Sequence, residues 1–172
     1  MYKFVMAQEG TLRTRANRGR DIVTHTYRWA HPGPGSVGIE ARWDDPGCWL
    51  SQDFATILQL FGGEGAGLNT AMYLAGEIEE LLDSAAFGDL EYKAVTRCKS
   101  RPGVAEIRLL SSFPIGEATF HVRIYYGEPE EWEGLVSLCL AVKSAGPRWK
   151  EEQNASIALA QERGEAWIQL LE

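Results

Sequence analysis

The chain has 172 residues, 45% of them apolar and 24% charged, with a formal net charge of −7. That length and balance fit one globular domain with a core that needs no staples. They exclude a membrane-spanning helix, since no apolar run approaches the roughly 20 residues that span a bilayer, and an acidic chain is a poor unassisted ligand for a polyanion. No signal-peptide pattern is read at the start, so the expected location is cytoplasmic. Cys48, Cys98 and Cys139 are too few and too dispersed for a metal knuckle or disulfide framework. No metal and no cofactor are expected, and Cys139, inside an apolar run, reads as a buried small hydrophobe.

Residues 1–36 read as an N-terminal extension, with short strands at 2–6 and 22–29 around a solubilising cluster of Arg13, Arg15, Arg18 and Arg20. The Pro-Gly-Pro-Gly run that follows His31 is a break. Residues 37–43 then alternate, with Val37, Ile39, Ala41 and Trp43 on one side and Glu40 and Arg42 on the other, which predicts a half-buried strand. Asp44, Asp45, Pro46 and Gly47 make a turn. Ser51 is placed to cap a helix over 51–61, where Phe54, Ile57, Leu58 and Phe61 recur at helical spacing. After a glycine-rich linker at 62–67, Asn69 opens a second helix with Ala71, Leu74, Ala75, Ile78 and Leu82 inward, stopped near Gly88. The linker has no lysine and hydroxyl after its glycines, so it is a poor phosphate loop. Residues 91–101 are basic and ambiguous between strand and loop.

Three apolar runs follow, at 105–110, 119–126 and 135–142, and a helix over about 151–170 closes the chain. Strands joined by short turns pair antiparallel, and two consecutive helices cover one face of their sheet. The expected fold class is α+β: an antiparallel sheet of 37–43 and the three later runs, packed by the helical hairpin. Residues 37–172 form the domain.

Two of these runs carry a mid-strand arginine, Arg108 and Arg123, and Lys143 ends the third. A cation in an apolar strand is costly unless it meets water or an anion. Thr119, His121, Arg123 and Tyr125 share one side of their strand. Such a face can hold a phosphate by charge and lay a base on Tyr125. It also fits an ordinary solvated sheet face, with its arginines paired to Glu106, Glu117 or Glu128. His121 is the best single candidate for proton transfer, as histidine exchanges protons near neutral pH.

The motif Gly103-Val-Ala-Glu-Ile-Arg108 resembles the G-x-x-E-[LI]-R strand of the RelE/HigB-like toxins, the ribonuclease half of bacterial toxin–antitoxin pairs. Residues 120–126, Phe-His-Val-Arg-Ile-Tyr-Tyr, are similar to that family's next strand. Residues 138–143, Pro147 and residues 154–160 resemble the last strand, lysine and terminal helix of its phage-derived branch. The resemblance implies a RelE-like twisted sheet with a helical hairpin. It implies ribosome-dependent, metal-independent cleavage of mRNA, and neutralisation by a cognate antitoxin of helix-turn-helix type. By the same resemblance Arg123, Arg108 and Lys143 are expected to hold the phosphate, and His121, singled out by its place on the Arg123 face, completes the expected catalytic set. Lys93, Lys99, Arg148, Lys150 and Tyr125 are expected to contact RNA. The alternative reading is a non-catalytic protein-binding module on the same scaffold. An acidic chain that works on RNA needs its cations gathered locally, so a positive groove is expected along residues 93–101, Arg108, Arg123, Lys143 and Lys150.

Overall fold

The structure is a computed structural model that describes residues 14–17, 26–62, 68–91, 93–101, 103–130 and 132–172. The expected strand at 2–6 and the arginines at 13, 18 and 20 lie outside these residues, as does most of the glycine linker.

The three apolar runs form the centre of the sheet, each longer than its apolar core. They are β3 (Ala105–Ile115), β4 (Ala118–Gly127) and β5 (Gly134–Ser144). β3 and β4 join through a two-residue turn, in which Gly116 takes the left-handed φ of 59° that side chains resist. Both neighbouring pairs are antiparallel, as expected. The ambiguous basic stretch supplies β2 (Val95–Arg97), antiparallel to β3.

The remaining strand is not at 37–43. Those residues form a turn-rich loop, because Gly38 adopts a φ of 62° and its carbonyl accepts the His31 N–H at 2.8 Å. A Cβ at Gly38 would lie 2.0 Å from the His31 oxygen, so only glycine closes this loop. The alternating side chains do find cores, but different ones: Val37 and Ile39 in one cluster, Trp43 in another. The edge position belongs to β1 (Arg28–Ala30), expected within the extension, which pairs parallel to β5. The sheet is therefore mixed, ordered β1-β5-β4-β3-β2. No tight turn links β1 to β5, so nothing imposes the antiparallel sense on that pair. The extension also touches the body through Arg15. Its guanidinium donates to the carbonyls of Pro129, Trp132 and Gly134 at 2.8–2.9 Å, so Arg15 pins the β4–β5 connection instead of serving solubility alone.

Two helices connect β1 to β2, α1 (Trp49–Leu60) and α2 (Leu68–Ala86). α1 starts before Ser51, whose hydroxyl donates to Asp44 O instead of capping. α1 and α2 cover one face: Ile57, Leu74, Ile78 and Leu82 pack with Ile107, Val122, Ile124 and Leu140. Phe54 and Leu58, expected to be buried, are half-buried on the flank of this core. The last helix, α3 (Trp149–Leu171), crosses the other face, where Ile157, Ala160 and Trp167 pack with Tyr125, Leu138 and Cys139. The face expected to be wet is thus half covered.

Both sheet edges are open beyond the short outer strands, and helices close them. Asp53 of α1 accepts from Leu140 N while Arg163 of α3 donates to Leu138 O on β5. Glu77 of α2 accepts from Leu110 N and Ser111 N at the irregularity in β3. Carboxylates on exposed backbone N–H groups remove the template that an edge strand offers to other chains.

Candidate functional site

Strand alternation puts Glu106 and Arg108 of β3, His121, Arg123 and Tyr125 of β4, and Ala141 and Lys143 of β5 on the α3-facing side of the sheet. Arg108 stands opposite Arg123, and His121 stands opposite Lys143. α3 seals one end of this face. At the other end the sheet opens into a pocket of about 350 Å³ lined by His121, Arg123, Lys143, Ser144, Ala145 and Trp149. Three of the four expected catalytic side chains therefore meet, and the fourth, Arg108, lies one strand away.

A single carboxylate organises the arginines. Glu106, 2% exposed, accepts from Arg123 Nη1 at 2.5 Å and from Arg108 Nε at 3.0 Å through the same oxygen. Its other oxygen accepts from Gln153 Nε2 of α3 at 3.0 Å. Arg123 is 8% exposed and its Nε has no partner. A buried arginine needs such a counter-charge, and one carboxylate between two guanidinium groups leaves the cluster cationic.

Lys143 rests on the indole ring of Trp149, 4.0 Å from its centroid, rather than on a carboxylate. Burial pushes its ammonium pKa down, and Arg123 and Arg108 push the same way against Glu106. Next to it, Ser144 donates to Glu152 through its hydroxyl at 2.7 Å and its N–H at 3.2 Å. These bonds hold the Glu152 carboxyl below its usual range, so an anion stands at the rim.

The expected RNA contacts fare unevenly. Tyr125 is 1% exposed under α3, and burial, then Glu106, push its hydroxyl well up. Its ring is not a free stacking surface, a correction that follows from α3 covering this end. Lys93 and Lys99 are exposed and flank β2 at the far edge of the sheet, with β3 between that strand and β4, and neither lines the pocket. Arg148 and Lys150 sit beside the pocket at the start of α3. Arg148 pairs with Glu151 at 3.2 Å, and Lys150 lies 5.4 Å from the Trp149 ring. Trp149, which stands with them in a stretch that the resemblance marks as often functional without matching it residue by residue, lines the pocket itself. The signal for it is a tryptophan between two cations directly after the Gly146-Pro147 break.

Among the described residues no group of three His, Cys, Asp or Glu side chains is placed to hold a metal, and no helix is long and apolar enough to cross a membrane. No family model matches the chain, and neither a characterised protein nor a solved structure is recognisably similar to it.

The pocket brings an imidazole, an ammonium and a guanidinium to one concave surface. That set can bind an oxyanion, stabilise charge developing on it and move a proton at an adjacent oxygen.

Proposed function

We propose that this chain is a RelE/HigB-like toxin, a cytoplasmic, metal-independent endoribonuclease that cleaves mRNA on the ribosome and is held in check by a helix-turn-helix antitoxin. The observation that carries the proposal is the meeting of His121, Arg123 and Lys143 in one pocket, with Arg108 behind them. In the reaction the RNA 2′-oxygen attacks the neighbouring phosphorus and the bond to the 5′-oxygen breaks. His121 takes the 2′-hydroxyl proton, and the leaving oxygen gains one from the imidazolium or water. The products are a 2′,3′-cyclic phosphate and a 5′-hydroxyl. Lys143 and Arg123 stabilise the extra negative charge of the transition state. Glu106 is a positioning residue that fixes the Arg123 fork.

The double pairing of Glu106 favours a second reading, in which Arg108 and Arg123 are structural and the face is a protein-binding module. Induced expression in a bacterial host separates the two. The nuclease reading expects growth arrest that Lys143→Met relieves. Undisturbed growth with folded protein present puts the binding reading ahead.

A further inference from the structure

We propose that Trp149 is the stacking platform for the ring of a nucleotide whose phosphate sits among His121, Arg123 and Lys143, and that Lys143 leaves the indole face to admit that ring. This rests on the anion-binding reading of the pocket and adds what selects the ligand.

Three observations lead to it. First, Trp149 lines the pocket and is half-buried, with Lys143 Nζ over its ring at 4.0 Å. The pocket volume of about 350 Å³ falls within the range of small-ligand sites, about 300–1,000 Å³. A side chain parked on an aromatic face inside a pocket marks a surface that a flat ligand would use. Second, Lys143 is poorly settled there. Burial, then Arg123 and Arg108, oppose its charge, with Glu106 acting the other way. A phosphate among these groups reverses that balance, giving the ammonium a better partner than the indole. Third, Arg123 carries an unpartnered Nε in a side chain that is nine-tenths buried. Buried donors are nearly always satisfied, so this one is a place for a ligand oxygen once Lys143 moves. Tyr125 is sealed under α3, which leaves Trp149 as the large aromatic ring lining the pocket, beside the smaller His121 imidazole.

The test is calorimetric titration of the full chain with adenosine 3′-monophosphate, inorganic phosphate and adenosine. The nucleotide is expected to bind about tenfold tighter than phosphate, the scale of one stacked base. Trp149→Leu should remove that preference and leave phosphate affinity within about twofold, while Trp149→Phe keeps most of it. Independently of any variant, the Lys143 side-chain methylene resonances, shifted by the indole ring current, should move toward ordinary lysine values as nucleotide is added. Equal affinity for nucleotide and phosphate, a preference that survives Trp149→Leu, or unmoved Lys143 resonances would overturn the stacking role while leaving the anion pocket standing. If neither phosphate nor nucleotide binds, both readings fall.

Discussion

Asp53 and Arg163 come from helices on opposite faces of the sheet and meet at its edge, with Nη1 to Oδ2 at 2.6 Å and Nη2 to Oδ1 at 3.0 Å. Each also bonds the β5 backbone that β1 is too short to reach, Asp53 at Leu140 N and Arg163 at Leu138 O. The pair clamps α1 and α3 onto one strand, and α3 in turn carries Trp149 to the pocket and Gln153 to Glu106.

Asp53→Ala strands the Arg163 charge and the Leu140 N–H together. The expected loss of stability is about 3 kcal/mol, the scale for breaking a largely buried pair. Urea unfolding checks it: the midpoint should fall with an unchanged slope.

Arg123 and Lys143 should respond differently to mutation. Arg123→Ala leaves Glu106 buried with its closest cation gone, so it should cost about 3 kcal/mol as well as activity. Lys143→Met retains the aliphatic stem on Trp149 and strands no carboxylate, so stability should change by no more than about 0.5 kcal/mol. If Lys143 stabilises the transition state, cleavage should still drop by about 10²- to 10³-fold. Parallel thermal melts and rate measurements on the two variants separate folding from chemistry.

The contrast between these residues also shows what the sequence could convey. Period-two alternation and helical spacing located β3–β5, α1, α2 and α3, because each pattern reports a face buried against a neighbour. The same alternation misled at 37–43, where Gly38 bends the chain and sends Ile39 and Trp43 to different cores. β1 has three residues and pairs across more than a hundred positions of sequence: the strand read at 22–29 overlaps its start, while its parallel pairing with β5 leaves no local signal. Arg108, His121, Arg123 and Lys143 were legible as one side of adjacent strands. The burial of Tyr125 was not, since it depends on which face α3 crosses. Trp149 belongs to a helix start, outside the strand pattern, so alternation could not add it to the site.

Acid should weaken the fold through His31. Its Nδ1 lies 2.9 Å from Ser137 Oγ in the interior, and burial lowers its pKa from 6.5 to about 4. Between those values the unfolded chain binds the proton and the folded chain does not. Stability therefore falls as pH drops from 6.5 toward 4 and levels off below, with a full loss on the order of 3 kcal/mol. Glu128 acts with the opposite slope, since burial raises its carboxyl above 4.5 and its cost grows as pH rises through that region. The informative comparison is therefore His31→Gln against the native chain. Unfolding free energies measured from pH 7 to 4 should slope less in the variant, and identical slopes would contradict the assignment.

The most direct test of the central claim is cleavage of ribosome-bound mRNA by the purified chain. The native protein should cut translated message at discrete sites, leaving 5′-fragments that end in a 2′,3′-cyclic phosphate. His121→Ala and Lys143→Met, folded as judged by thermal melting, should each reduce cutting at least about 10²-fold. Intact mRNA at saturating native protein, or cleavage that both variants retain in full, would contradict the assignment of this pocket as a ribonuclease site.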